Sequence, residues 1–214
     1  MRISILGPGN MGVALAKNWV LKGHQITFSH SRKKEKISAI LQEIKGSQFL
    51  ELAEAIQYSD VIVIASAYEG LSEIFRYKNL FSNKIVISCT SNLKPDFQGN
   101  TIGLQTSRSF SVAEEIQENL PDAFVGEAFN SAFAENIGNL QRFDSTTVAS
   151  IFYCSDHTKN KEVALQLISE LNYQAIDAGA LKSARALETF ATAWVQLAVV
   201  SNHYPGFEIK VVNH

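Results

Sequence analysis

Short apolar runs, most of them rich in β-branched residues, alternate along the chain with stretches whose apolar positions recur every three to four residues. The short runs predict strands at Arg2–Leu6, Gln25–Ser29, 61–65, 84–89 and 123–129, with a further short one at 48–50. The amphipathic stretches predict helices at Asn10–Leu21, 33–45, Leu52–Tyr58 and 69–77. Strand and helix in regular alternation mark an α/β protein, a parallel sheet covered by helices on both faces and joined by right-handed crossovers.

Further along, Ser111-Val112-Ala113-Glu114 has the spacing of a capping box and predicts a helix running to Leu120. Residues 90–109 read as a loop with Pro95, Gly99 and Gly103. From about residue 140 the expected order is a strand at 151–154, a helix at 158–171, a strand at Gln174–Asp177, a long helix at 180–201 and a final alternating strand at 207–212. The expected organisation is a dinucleotide-binding domain over residues 1–145 and a small α/β C-terminal extension over 146–214, packed on it to complete the acceptor side.

Gly7-Pro8-Gly9-Asn10-Met11-Gly12 gives the first strand–helix junction a chemical meaning, because G-x-G-x-x-G after a strand and opening a helix is the fingerprint of a dinucleotide site. Gly7 permits the tight turn, Gly9 lets the backbone approach a pyrophosphate, and Gly12 lets the helix lie close on the strand. The helix N-terminus then faces the phosphates with unpaired amides. With this motif the expected fold is a Rossmann doubly wound parallel sheet.

An NAD-binding chain carries an acid at the end of its second strand for the ribose 2′-hydroxyl. Here that place reads Ser29-His30-Ser31-Arg32-Lys33-Lys34, with no acid before Glu35. Hydroxyl and cationic groups there suit the 2′-phosphate of NADP(H), and Ser31, Arg32 and Lys36 are its expected ligands. His30 reads as a surface or stacking residue.

Charge and composition narrow the class. A formal charge of -2 offers no broad basic field for nucleic acid or an anionic membrane, and no apolar run approaches the roughly 20 residues of a bilayer span. Met1 leads directly into a strand without the features of a secretory signal. Cys89 and Cys154 lack metal-ligand spacing, so no metal site is expected and a reducing cytoplasm fits best. Carbonyl reduction needs a proton donor near the nicotinamide, yet His157 and Lys182 read as solvated helix-end residues and no catalytic side chain is assigned.

The phosphate loop, Asp60-Val61-Ile62-Val63-Ile64-Ala65, Lys84-Ile85-Val86-Ile87-Ser88, Ala128-Phe129-Asn130-Ser131-Ala132-Phe133-Ala134-Glu135 and Asp177-Ala178-Gly179-Ala180-Leu181 together resemble the NADP oxidoreductase, coenzyme F-420-dependent family. The cofactor half of that pattern is shared with pyrroline-5-carboxylate reductases and with the cytosolic domain of membrane ferric reductases. The resemblance implies reversible hydride transfer between NADPH and a deazaflavin in a small Rossmann protein that is commonly a dimer. It also implies that Ala65, Ser66 and Tyr68 line the cofactor, that Asn130 sits near the nicotinamide, and that residues 177–179 border the acceptor or simply turn the chain.

The leading expectation is therefore an NADPH-dependent oxidoreductase passing hydride to a small-molecule acceptor, coenzyme F-420 or a flavin. In such a reaction both rings carry the chemistry and the protein mainly holds them in contact. Two other readings stay open: reduction of a small imine or carbonyl, and an NADPH-binding sensor without turnover. The long C-terminal helix, apolar around Trp194, serves either as core or as a homodimer interface.

Overall fold

The computed structural model describes residues 1–31, 34–91, 93–94, 103–104, 110–139 and 148–212. In chain order its elements are β1 (Arg2–Leu6), α1 (Asn10–Leu21), β2 (Gln25–Ser29), α2 (Lys34–Glu43), β3 (Gln48–Phe49), α3 (Leu52–Tyr58), β4 (Val61–Ile64), α4 (Leu71–Phe75) and β5 (Ile85–Ser88). They continue with β6 (Leu93–Lys94), β7 (Gly103–Leu104), α5 (Val112–Asn119), β8 (Phe124–Ala128), β9 (Ser150–Ser155), α6 (Thr158–Ser169), β10 (Gln174–Asp177) and α7 (Ala184–Val200).

Eight strands form one sheet in the order β10-β9-β8-β5-β4-β1-β2-β3, and β1 through β5 with β8 pair in parallel. The progression along the sheet reverses between β1 and β4, the switch point at which open α/β sheets bind ligands beyond their strand ends. Hydrophobic burial explains the two-sided cover. Ile3, Ile5, Val61 and Val63 join a core with Leu15, Trp19 and Leu167 on the α1 and α6 side. Leu6, Ile62, Ile64 and Val86 face the other way, into a core with Ile56, Ile74, Ile116 and Ala184. Strands buried on both faces read as near-continuous apolar runs.

Several expectations are corrected by the structure. β9 pairs with β8 antiparallel, so the sheet is mixed, and β10 then continues parallel to β9. Strands from both expected parts of the chain thus belong to a single sheet. Residues 207–212 form no strand; they run beside β9, where the Ser150 amide donates to Ile209 O at 2.7 Å. The long helix begins at Ala184 after a single 3-10 turn at Leu181–Ser183, rather than at residue 180. Within the expected loop, β6 and β7 pair antiparallel; most of the rest lies outside the described residues.

Candidate functional site

The phosphate loop sits at the switch point because β1 and β4 are hydrogen-bonded neighbours whose following turns face each other. Gly7 has φ +101° and donates its amide to Ser29 O at 3.0 Å, so three strand ends meet there. A side chain on Gly7 would lie 2.6 Å from the Ser66 backbone, and one on Gly12 would lie 2.7 Å from Gly7 O and 2.8 Å from the Ile5 side chain. Gly9 differs, since the closest atom to a Cβ there is Ala65 O at 3.9 Å. Gly7 and Gly12 keep the loop tight, whereas Gly9 leaves open the space that a ligand would take.

Gly9 is also the N-cap of α1 and offers no side chain to the helix's first amides. Those amides have no intrahelical acceptor, and the helix dipole makes their surroundings favourable to an anion. A groove of about 320 Å3 opens in front of them, lined by Gly7, Pro8, Gly9 and Asn10 from the loop, His30, Ser31 and Lys36 after β2, and Ala65, Ser66 and Ala67 after β4. The Ser66 hydroxyl is buried without a hydrogen-bond partner, as is that of Ser29. Thr90 fixes this wall by donating to Ser66 O at 3.0 Å. Open backbone space, unpaired amides, a lone buried hydroxyl and a lysine together fit a dinucleotide pyrophosphate and a further phosphate beside its ribose.

Of the residues expected from sequence, Gly7, Pro8, Gly9, Asn10, Ser31, Lys36, Ala65 and Ser66 converge on this groove. Gly12 is buried behind it and Met11 packs on the adjoining core. Arg32 and Lys33 lie outside the described residues. Tyr68 turns away, donating its hydroxyl to Glu115 on α5 at 2.9 Å. Asn130 follows Phe129, which holds φ +73° and is buried edge-on to Trp19 at 5.6 Å between ring centroids. The Asn130 Nδ2 is buried without a partner, beside Glu127 rather than at the groove.

His30, expected as a surface or stacking residue, has a side chain only 6% exposed. With φ +57° it folds under the loop after β4, where a Cβ on Gly70 would lie 2.7 Å from its Nε2. No local sequence signal announces that conformation. Asp177 accepts from the Gly179 amide at 2.8 Å and pairs with Lys161 at 3.0 Å, so residues 177–179 turn the chain. His157 caps α6 against the Phe124 ring and Lys182 is exposed.

A second cavity of about 650 Å3 adjoins the groove through Asn10 and is otherwise lined, among the described residues, by Val199, Asn202 and Tyr204 at the end of α7. The Tyr204 hydroxyl donates to Glu135 at 2.9 Å, and its ring meets Phe133 edge-on. Burial and Glu135 push that hydroxyl's pKa up to about 12, so it holds its proton at neutral pH.

Fold and groove define a Rossmann-type dinucleotide-binding protein. Residues 2–92 match the family described as NADP oxidoreductase, coenzyme F420-dependent, which bears out the resemblance over that part of the chain. Over those residues the chain is thus similar to the cofactor-binding part of that family. The chain is 22% identical over 188 residues to the human Metalloreductase STEAP2, covering 87% of this chain and 35% of that one, so it spans about a third of that relative's length. In fold it is similar to a candidate F420-dependent NADP-reductase from Arthrobacter sp. FB24, with TM-score 0.87, 22% identity and full coverage of both chains. It is also similar to an imine reductase from Myxococcus stipitatus in complex with NADP+, with TM-score 0.67 and 17% identity over 94% of this chain and 63% of that one.

Proposed function

We propose that the protein is an NADPH-dependent oxidoreductase that passes hydride to a conjugated ring acceptor, a deazaflavin or a flavin. The observation that carries this reading is the pairing of two sites at the switch point, the phosphate groove and the larger cavity under the end of α7, with Asn10 common to both. The α1 N-terminus and Gly9 hold the pyrophosphate, while Ser31, Lys36 and Arg32 take the 2′-phosphate.

When bound, NADPH supplies a hydride, and with one proton from solvent the acceptor ring becomes its dihydro form as NADP+ is left. The described side chains around the second cavity, Asn10, Val199, Asn202 and Tyr204, are uncharged at neutral pH, and the tyrosine proton is committed to Glu135. Such a cavity suits an acceptor that brings its own electron sink and needs the protein chiefly to hold two rings together. A stripe of exposed residues on α7, Ala186, Phe190, Ala193, Leu197 and Val200, has the seam spacing of a packed helix pair and supports a homodimer through that face. Service in the reducing cytoplasm accords with two free cysteines.

The test follows NADPH absorbance with a deazaflavin, with FAD or FMN, with a cyclic imine, and with no acceptor. Oxidation that depends on a ring acceptor is the expected result. Turnover with the imine alone, or tight NADPH binding without oxidation in any arm, overturns it. A parallel titration should show NADPH binding at least about tenfold more tightly than NADH, a difference of about 1.4 kcal/mol.

A further inference from the structure

Glu127 lies in the middle of the apolar run Phe124–Ala128, with Ser88 of β5 and Cys154 of β9 as its register partners, and it is 1% exposed. Neither of its carboxyl oxygens meets a hydrogen-bond donor in good geometry. The polar groups it senses are the Glu188 carboxyl of α7 and the Asn130 side chain. Glu188 is 2% exposed, and one of its oxygens accepts from the first amides of α5, Val112 N at 2.7 Å and Ala113 N at 3.3 Å.

These two acids have opposite needs. A carboxylate on a helix N-terminus is stabilised as an anion by amides and dipole. A carboxyl with no well-placed donor in an apolar sheet is favoured as the neutral acid, which must then find an acceptor for its own proton. Glu188 as anion and Glu127 as acid satisfy both at once.

From this geometry we infer that Glu127 and Glu188 share one proton and form a pH-sensitive latch holding α7 against the sheet and against the start of α5. Removing the proton leaves two anions facing each other in a dry interior, and the relief is to let α7 move outward. Because the far end of α7 carries Val199 of the second cavity, the latch also governs that cavity's wall.

The charged and titratable surroundings favour this assignment. On the α5 side Glu114 lies close enough to Glu188 to disfavour its ionised form, but Glu114 is itself neutralised by Arg185 of α7 at 2.7 Å. The thiols of Cys89 and Cys154 lie near Glu127, and burial keeps both of them protonated, so neither adds a charge beside it. Burial first and Glu188 second raise Glu127 well above an ordinary carboxyl, against the opposing pull of the Asn130 side chain. Burial raises Glu188 to about 7 against the pull of the Ala113 and Val112 amides. With both folded values raised, the pair's contribution to stability is fully present below a carboxyl's ordinary value near 4.5, and it is lost as pH rises through the folded pair's range and the last shared proton leaves.

Hydrogen exchange of α7 and the first turn of α5, measured from pH 5 to 9 and corrected for intrinsic rates, tests the latch without cofactor or acceptor. In the native chain local opening should increase with pH by up to about tenfold per unit and then level off. In Glu127→Gln, which cannot lose the proton, opening should stay flat and α7 should remain protected at pH 8. An unchanged slope in Glu127→Gln, or a native α7 equally protected from pH 5 to 9, overturns the latch. Should that variant fail to fold, the infrared carbonyl band of a buried neutral acid in Glu208→Gln, which removes the other raised carboxyl, decides instead: presence at pH 7 and loss on alkalinisation uphold the latch, and absence at pH 7 or persistence to pH 9 refutes it. Neither readout depends on turnover, so failure of the latch and failure of the oxidoreductase reading are distinguishable.

Discussion

Gly9 and Gly12 share one motif but carry opposite structural loads, and substitution should separate them. Gly9→Ala places its methyl in open groove space, so urea denaturation should show stability within about 0.5 kcal/mol of the native chain. NADPH affinity should nevertheless fall about tenfold or more, because that methyl occupies the pyrophosphate's approach. Gly12→Ala meets backbone oxygen and a buried isoleucine, and should cost about 1–3 kcal/mol in the same denaturation experiment before any ligand is added. At this scale the sequence identified the loop residues well, because each glycine answers a local steric demand. It gave no sign of where the Tyr68 and His30 side chains turn, for the complementary reason. Tyr68 is directed by Glu115, 47 positions away, and His30 by the space that Gly70 leaves, and neither contact has a trace in the local pattern. Glu127 did leave one, a lone acid inside a buried strand, although Glu188 comes near only through the packing of α7 on the start of α5.

Elements were legible where their boundaries rest on local chemistry. The Ser111 box forms as its spacing requires, with the Glu114 amide donating to the Ser111 hydroxyl at 3.2 Å and the Ser111 amide donating to the Glu114 carboxylate at 3.0 Å. Ser111→Ala should therefore cost about 1 kcal/mol and lower the melting temperature by roughly 2–4 °C, as calorimetry can record. Burial alone would raise Glu114, yet its hydrogen bonds from Arg185 and Ser111 hold it below the ordinary carboxylate range, so the box also helps secure α7. Elements set by tertiary contact were not legible. The antiparallel direction of β9 depends on the path between residues 128 and 150, and residues 207–212 alternate like a strand but reach the start of β9 through the Ser150 amide bond to Ile209 O without forming a ladder. The start of α7 slips to Ala184 because the Leu181 amide is taken by the Asp156 carboxylate at 3.0 Å, which favours a 3-10 turn first.

For the molecule as a whole, buried acids set the response to pH. Burial pushes Glu208 up to about 7 despite Asn136 and the Tyr173 hydroxyl, and Glu188 stands near the same value. Groups raised on folding contribute stability in full below about 4.5, and that contribution is lost as pH rises through about 7. Asp60, held low chiefly by its hydrogen bond from Arg2, acts in the other sense and loses its contribution only at more acid pH. Melting temperature should thus be higher near pH 5.5 than near pH 8.5, and Glu208→Gln should flatten the decline; a rising profile across that interval would contradict the assignment. Association belongs to this scale too. Leu197 is 59% exposed and Val200 60% exposed along the α7 stripe, so light scattering should find a dimer in the native chain and a monomer in Leu197→Lys. No described helix is long and apolar enough to cross a membrane.

The chain has two tryptophans, and the fold puts them to different optical use. Trp19 is sealed between α1 and α6, its indole NH donating to Leu167 O at 3.1 Å. Trp194 instead stacks on Phe207 at 4.3 Å and on Phe133, the ring that also meets Tyr204 at the second cavity. Its emission therefore reports on what happens around that cavity, while that of Trp19 reports on the integrity of the core. A Trp194→Phe chain would fluoresce only from within, so subtracting its signal from that of the native protein isolates the light that changes when a molecule enters that cavity.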